Sequence, residues 1–96
     1  MFKVTITMVR PNVDINFPDG FPESVKIHVQ NEYILTGRLL SKDVELSDDD
    51  LTKIITRVFN SQEDFNVWTD DPIVYSRKIK RNLQAANTGI VITQTT

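Results

Sequence analysis

The order of strand-like and helix-like segments is the feature that most constrains the fold of this chain. Strands show alternating apolar and polar residues or β-branched runs, whereas helices show apolar residues at spacings of three and four. By these criteria the chain reads strand, helix, strand, strand, helix, strand. The segments are Phe2–Arg10, Pro22–Thr36, Leu39–Ser47, Leu51–Phe59, Ser61–Asn87 and Gly89–Thr95, and the two middle strands flank the turn Asp48-Asp49-Asp50.

This order predicts a ferredoxin-like βαββαβ domain of the α+β class. In that arrangement four antiparallel strands form one sheet, and two helices cover one of its faces. The 96 residues correspond to one domain, spanning residues 1–96. The fold alone does not define an activity, because it hosts many unrelated functions.

The composition excludes several kinds of chemistry. The chain has no cysteine, so disulfides, thiolate metal sites, iron–sulfur clusters and cysteine nucleophiles are ruled out. Its net charge of −2 gives no general attraction to nucleic acid or to anionic membranes. No apolar run approaches the ~20 residues of a membrane-spanning helix, and the first residues read as a strand and not as a signal peptide. We therefore expect a cytoplasmic protein without a membrane partner.

Local signals mark where the helices begin and end. Ser61 is a favourable N-cap, and Asp71 can cap a second helical segment that has Pro72 at its first position. Gly37 stands where a glycine commonly follows a helix, and Gly89 belongs to a turn before the last strand. The region from Ser61 to Asn87 should therefore be helical with one break.

The longest irregular segment, residues 12–21, is unusually apolar. Pro18 and the pair Asp19-Gly20 are turn signals, yet the segment also contains Val13, Ile15, Phe17 and Phe21. Such a loop should cover either an edge of the core or a partner or ligand, and both interpretations remain open.

Both faces of the predicted sheet carry large apolar residues. In the strand 51–59, Ile54 and Val58 lie on one face, whereas Ile55 and Phe59 lie on the other. A sheet with one face in water should alternate more cleanly. Because the helices can cover only one face, we expect a homodimer in which the second faces meet each other.

The run Ser61-Gln-Glu-Asp-Phe65-Asn-Val-Trp68-Thr-Asp-Asp-Pro72 follows a strand that ends Thr56-Arg57-Val58-Phe59. It resembles the second half of dimeric α+β barrel proteins, which include the antibiotic-biosynthesis-monooxygenase-like group and the haem-degrading monooxygenases. In them a serine caps the second helix, and an aromatic residue and a tryptophan follow. The resemblance implies two subunits that pack sheet on sheet into a barrel. The general character of the chain also resembles that of small proteins from bacterial viruses, although no motif carries this likeness.

Few catalytic residues of these families have a counterpart in this chain. Haem-degrading members hold iron with a histidine on the second helix, a few turns past the tryptophan, but residues 75–80 of this chain contain no histidine. Haem degradation is therefore not expected, and neither is any other cofactor. Members that work without a cofactor use a pocket with asparagine, tryptophan and tyrosine, for which this chain offers Asn66, Trp68 and Tyr75.

Other residues that could carry chemistry have simpler interpretations. His28 is the only histidine and the chain has no cysteine, so His28 is a weak metal candidate and reads as a surface or boundary residue. The acidic run at residues 48–50 has neither the spacing nor the glycine of a calcium loop, which favours a solvated hairpin turn. No metal site is predicted.

The basic residues of the last predicted helix form a patch. They are Arg77, Lys78, Lys80 and Arg81, and the apolar stripe on the same helix consists of Tyr75, Ile79, Leu83 and Ala86. Such a stripe is typical of the face that packs on a core, so the basic residues read as a solvated face. Nucleic acid is not an expected partner, since the strand 52–59 lacks the aromatic pattern with which ferredoxin-like RNA binders stack bases.

Two hypotheses for the function remain open. The first is a small dimeric binding or accessory module without a cofactor, and the second is a cofactor-independent monooxygenase-like enzyme that acts on a small aromatic substrate. Whether the chain is an enzyme is undecided at this stage, although few polar catalytic groups are available. A cavity of ~300 Å³ or more between sheet and helices would favour the enzyme, whereas a filled core would favour the module. Trp68 belongs either to that core or to the wall of such a pocket.

Overall fold

The computed structural model describes all 96 residues. Four strands and three helices follow one another in the predicted order, with the last helical region divided in two. The elements are β1 (Phe2–Val9), α1 (Glu23–Val29), a π-helical segment (Gln30–Ile34), β2 (Leu39–Leu46), β3 (Thr52–Phe59), α2 (Gln62–Asp70), α3 (Pro72–Thr88) and β4 (Val91–Thr95).

The four strands form one antiparallel sheet in the order β2-β3-β1-β4. The central pair is β1 and β3, and β2 and β3 form the predicted hairpin. The aspartates shape its turn, because Asp49 accepts hydrogen bonds from the Ser47 hydroxyl (2.6 Å) and the Leu51 N–H (3.0 Å). This topology confirms the ferredoxin-like α+β fold.

Helix boundaries follow the sequence signals. The Ser61 hydroxyl oxygen accepts a hydrogen bond from the Asp64 N–H at 3.1 Å, and the carboxylate of Asp71 accepts one from the Ile73 N–H at 2.9 Å. Gly37 and Gly89 adopt φ angles of 76° and 78°, which favour glycine. None of the helices combines the length and the hydropathy needed to cross a membrane.

The inner face of the sheet, which the helices cover, carries two separate apolar clusters. The larger one includes Val4, Leu39 and Phe59 from the sheet and Trp68 from α2. The second one lies further along β1 and consists of Ile6, Met8, Ala85 and Ile90. Since the two clusters do not merge, a gap with a different lining can exist between the sheet and the helices.

The segment between β1 and α1 covers the edge of this core, as one of the two interpretations predicted. Ile15 and Phe17 pack against the second cluster and Phe21 packs against the first. Pro18 is buried, and Arg10 fixes the segment by donating hydrogen bonds to the carbonyls of Ile15 and of Asp50 in the β2–β3 turn.

The edge strand β2 is irregular at its start. A bulge between Leu39 and Ser41 shifts its register against β3, so Leu39 is buried whereas Leu40 is exposed. Beyond Leu39 the strand is exposed along its length, because the helices cover mainly the other three strands. The inner side of β2 therefore borders an opening.

The rotation of α3 about its axis also differs from the expectation. Its stripe of Tyr75, Ile79, Leu83 and Ala86 is exposed, and the residues that face the sheet are led by Val74 and Ala85. The prediction that this stripe packs on the core is therefore wrong. The cap at Asp71 and the contacts of Val74 with the first cluster and of Ala85 with the second fix the rotation of the helix.

Candidate functional site

A cleft lies between the inner face of the sheet and the helices α2 and α3. Its volume is about 130 Å³, and residues 18–21 of the β1–α1 segment form part of its wall. Much of the rest of the cleft wall is apolar. The apolar lining includes Ile6, Met8, Ile55, Phe65, Trp68 and Val74.

Six basic side chains converge on this cleft. Three of them, the sheet wall, are Lys42, Lys53 and Arg57, and the other three, the helix wall, are Arg77, Lys78 and Arg81. The lining contains a single carboxylate, that of Asp19. None of the six forms an ion pair, since the two ion pairs of the chain, His28–Asp71 and Arg38–Asp64, lie elsewhere. The positive charge of the cleft is thus uncompensated within the protein.

Strand register explains the sheet wall. Arg57 pairs with Val4 on one side and with Lys42 on the other, so all three side chains lie on the inner face. Lys53 pairs with Met8 and shares that face. The alternation of a strand therefore places these cations among the core residues Ile55 and Phe59.

Helical periodicity explains the helix wall. Residues 74, 77, 78, 81 and 85 recur at spacings of three and four and so share one face. The outer members of this row, Val74 and Ala85, are buried, which turns Arg77, Lys78 and Arg81 toward the sheet. Interpreting the basic residues as a solvated face is therefore wrong for Arg77 and Arg81, which are half-buried, whereas Lys78 and Lys80 are exposed.

Arg57 is the best-anchored of these cations. Its guanidinium carbon lies 5.1 Å from the ring centroid of Trp68 and 5.6 Å from that of Phe21, which are cation–π distances. Burial, with a smaller contribution from the charge of Arg81, lowers the pKa of Arg57 to about 10. The group therefore remains protonated at neutral pH.

The pKa values of two neighbouring cations are lowered as well. Burial, followed by the charges of Arg57, Lys53 and Lys26, lowers the pKa of Lys42. Burial likewise lowers the pKa of Arg81. Both lowered pKa values indicate cations that have no counter-charge nearby. A bound anion would supply one.

Arg77 contributes an unsatisfied donor. Its Nε is buried and has no hydrogen-bond partner, and one of its terminal nitrogens donates only a long bond of 3.4 Å to the carbonyl of Gly20. A buried donor without a partner is costly. Arg77 thus borders the cleft with its hydrogen-bonding capacity incompletely used.

The predicted pocket residues are only partly brought together. Trp68 and Tyr75 both line the cleft, with Trp68 only 8% exposed and Tyr75 53% exposed. Asn66 is exposed and does not belong to the lining. The cavity is smaller than the ~300 Å³ typical of small-molecule sites, yet the space between sheet and helices is not filled. Trp68 is thus both a core residue and a wall of the cleft.

The sequence reasoning overlooked Lys42, Lys53 and Arg57. A signal for two of them was present, because Lys53 and Arg57 have the same parity in their strand as Ile55 and Phe59. The third, Lys42, has the same parity as Val44 and Leu46 in its own strand, so alternation indicated its face as well.

A second polar cluster joins α1 to the break between α2 and α3. Asp71 Oδ2 accepts a hydrogen bond from the hydroxyl of Tyr33 at 2.6 Å and lies 2.6 Å from His28 Nε2. Burial, assisted by this bond, raises the pKa of Tyr33. Burial alone would raise the pKa of Asp71, but the hydrogen bonds from His28, Tyr33 and the Ile73 N–H together lower it. The cluster ties three helical elements together, as expected of a boundary histidine.

No three or more histidine, cysteine, aspartate or glutamate side chains come together as a metal site would require. His28 and Asp71 contact each other, but the oxygen of Asp71 that His28 contacts also accepts a hydrogen bond from the hydroxyl of Tyr33. The cleft offers cations in place of metal ligands. It is suited to holding an anion.

Comparisons with known proteins support the fold. No protein-family model matches the sequence, and no curated protein matches it. Among solved structures, a candidate antibiotic biosynthesis monooxygenase from Deinococcus radiodurans superposes with a TM-score of 0.53 at 8% identity, over 99% of this chain and 91% of that one. At this identity the likeness establishes a shared ferredoxin-like architecture and no activity.

Two further structures cover the chain almost completely. Rv0793 from Mycobacterium tuberculosis gives a TM-score of 0.48 at 14% identity, over 98% of this chain and 92% of that one. A dimeric protein of unknown function with a ferredoxin-like fold from Bacteroides fragilis gives 0.41 at 13% identity, over 97% and 94%. None of the three comes from a bacterial virus, so the suggested viral origin has no support.

Proposed function

We propose that this protein is a binding module, working without a cofactor, that holds a small anionic molecule in the cleft between sheet and helices. The observation that carries the proposal is the convergence of six unpaired cations on one cleft with a single carboxylate. Charges held close together and partly out of water are unfavourable unless a counter-charge neutralises them. An anionic ligand supplies that counter-charge.

The apolar part of the lining narrows the ligand further. Ile55, Trp68 and Val74 provide surface for an apolar or aromatic body, while the cations on both walls orient acidic groups. Ligand sites commonly combine an apolar surface with a few placed polar groups. A small organic acid or a small phosphorylated compound fits this description.

Nucleic acid fits the arrangement less well. Arg77 and Arg81 face the sheet and are half-buried, whereas phosphate backbones are contacted from exposed basic surfaces. Trp68 and Phe21 are engaged with Arg57 inside the cleft, where they are not free to stack on bases as in ferredoxin-like RNA binders.

Arg57 provides the test of this proposal. In fluorescence titrations of Trp68, the only tryptophan, we expect benzoate or inorganic phosphate to give a saturable change. Arg57→Met should weaken this binding by about tenfold or more, because it removes a charged hydrogen-bonding group. The unliganded variant should be at least as stable as the wild type, since an uncompensated charge is replaced by an apolar side chain.

Lys80→Met is the matched control, because Lys80 is a cation of α3 that does not line the cleft. It should bind both anions like the wild type. Equal responses of the wild type and Arg57→Met would show that the anions bind elsewhere, and the absence of any saturable response to either anion would refute the proposal.

A cofactor-independent monooxygenase-like enzyme acting on a small aromatic substrate is the second candidate. The presence of both Trp68 and Tyr75 in the lining favours it, as does the architecture shared with the candidate monooxygenase from Deinococcus radiodurans. The exposed position of Asn66 counts against it. Oxygen uptake with dihydroxylated aromatic compounds, lost in Trp68→Phe, would support the enzyme, whereas none is expected of a binding module.

We further propose that two copies associate through the outer face of the sheet, which no helix covers. The strand register places ten β-branched residues on this face: Thr5, Thr7, Val9, Thr52, Ile54, Thr56, Val58, Val91, Thr93 and Thr95. The face is more threonine-rich than the sequence reasoning assumed, but its centre carries no charge. Two such faces can pack in register and bury an area on the scale of a standard interface, about 1,600 Å².

Light scattering at micromolar concentration should therefore give twice the 11.0 kDa mass of one chain. Ile54→Lys should produce monomers, since Ile54 lies opposite Thr7 near the centre of the outer face. Val13→Lys, in the exposed β1–α1 segment, should leave the mass unchanged. A wild-type mass of a single chain would rule out this mode of association.

A further inference from the structure

The cations of the cleft lie on two opposite walls. The sheet wall, Lys42, Lys53 and Arg57, is held by hydrogen-bonded strands, whereas the helix wall, Arg77, Lys78 and Arg81, is held by α3. Both walls border the same cavity. A bound molecule therefore meets positive charge from two directions.

We infer that the ligand of this cleft carries at least two negative charges and bridges the sheet wall and the helix wall. This inference rests on the proposed binding function and adds the charge of the ligand to it. A phosphoryl group with two ionised oxygens and a short dicarboxylate share this chemistry.

Charge balance is the first reason. Six cations face one carboxylate in the lining, so a monoanion would leave most of the positive charge without a partner. A dianion contacts both walls at once and removes the repulsion between Arg57 and Arg81, which stand on opposite walls.

Donor geometry is the second reason. The buried Nε of Arg77 has no partner, and an arginine binds carboxylates and phosphates best through two parallel N–H groups. Arg57 is held in place by Trp68 and Phe21 through their ring faces and not by a carboxylate. Each wall therefore presents one guanidinium that no carboxylate of the protein pairs with.

Size is the third reason. A volume of about 130 Å³ is small compared with the ~300 Å³ or more of usual ligand pockets. The two charges must therefore be close together, as they are in a phosphate monoester or a four-carbon diacid.

A matched pair of ligands tests the inference. Isothermal titration calorimetry on the full chain at low ionic strength should show succinate binding at least about tenfold tighter than butyrate, because the second carboxylate meets a second cationic wall. Both acids have four carbons, so their size is nearly constant. Methyl phosphate, which is mainly dianionic above neutral pH, distinguishes a phosphoryl ligand from a dicarboxylate.

Variants on each wall locate the two contacts. Arg81→Gln on the helix wall and Lys53→Gln on the sheet wall should each remove the preference for succinate over butyrate, whereas Lys80→Gln should retain it. Lys53 lies on a strand with a partly exposed side chain, so its variant tests the inference even if Arg81→Gln fails to fold.

The possible outcomes distinguish the inferred charge of the ligand from the proposed binding function. Butyrate binding as tightly as succinate and methyl phosphate would overturn the inference and leave the binding function standing. Retention of the succinate preference in both wall variants would also overturn it. If none of the three compounds binds, and benzoate and phosphate also fail, the proposed function falls together with the inference.

Discussion

Replacing Trp68 with alanine is expected to lower the free energy of unfolding by about 3–5 kcal/mol, the range for large aromatic truncations in a core. The side chain is only 8% exposed. Its ring lies edge-on to Tyr33 and Phe59, with centroid distances of 4.9 and 5.5 Å. Alanine would remove these contacts and the surface on which Arg57 rests, which leaves that charge still less compensated.

Urea denaturation followed by circular dichroism is the appropriate measurement, because the variant has no tryptophan left to report by fluorescence. Val67→Ala is the matched control: Val67 precedes Trp68 in α2 but is 40% exposed, so its loss should cost no more than about 1 kcal/mol. Similar losses in both variants would mean that Trp68 does not organise the core.

The Trp68 variant should also weaken anion binding, because it is Arg57 that loses its aromatic support. Trp68→Phe separates the two effects. It should restore part of the packing and keep a ring face for the guanidinium. Its affinity for benzoate, measured by isothermal titration calorimetry, should therefore lie between those of the wild type and the alanine variant. An alanine variant that is destabilised but binds anions normally would show that Trp68 has only a structural role.

The second large effect is expected for Asp71→Ala, which should cost about 2–4 kcal/mol. The carboxylate caps α3 through the Ile73 N–H, and losing such a cap costs about 0.5–2 kcal/mol. It also accepts the hydroxyl proton of Tyr33, and a buried hydroxyl without a partner costs about 1–3 kcal/mol. Thermal or urea unfolding of the variant measures the sum.

Asp71→Asn is the informative companion variant. Asparagine keeps one oxygen that can still cap the helix, but its amide NH2 replaces the second oxygen, which accepts from Tyr33. Its stability near neutral pH should therefore lie between those of the wild type and Asp71→Ala. Asp70→Ala, at the neighbouring exposed carboxylate, should change stability little. An Asp71→Ala protein as stable as the wild type would contradict the structural role assigned to this cluster.

Asp71 also predicts the direction of a pH effect. Because its pKa in the folded protein is lowered from 3.8, the unfolded chain takes up the proton more readily than the folded one. This contribution to stability is therefore complete above pH 3.8 and is lost as the pH falls through the lowered folded pKa. The wild type should lose more stability than Asp71→Asn over this acidic range.

Much of the architecture followed from short-range signals. Alternation identified β1 and the hairpin, and the caps at Ser61 and Asp71 were correctly placed because a cap depends on residues only two or three positions away. Val25, Val29 and Tyr33 recur every four residues and are all buried, as in a helix that packs one face on a core. The π-helical segment after α1 was not predicted, since no local signal distinguishes it from an α-helix.

The cleft could not be predicted in the same way. Whether Arg77 and Arg81 meet water or the sheet depends on the rotation of α3, and that rotation is set by contacts from residues far apart in the sequence. An apolar stripe normally indicates the buried face of a helix, but Tyr75, Ile79 and Leu83 are exposed here. The bulge in β2 is equally a matter of strand pairing.

The segregation of charge between the cleft and the exterior has a practical consequence for purification. The protein as a whole is acidic, with a net charge of −2, and the carboxylates of its hairpin, residues 43, 45 and 48–50, are exposed. A resin bead is too large to enter the cleft, so the protein should be retained by an anion exchanger. The chloride used for elution is small enough to enter and compete with the ligand. Affinities should therefore be measured after exchange into a buffer whose anions are bulky and dilute.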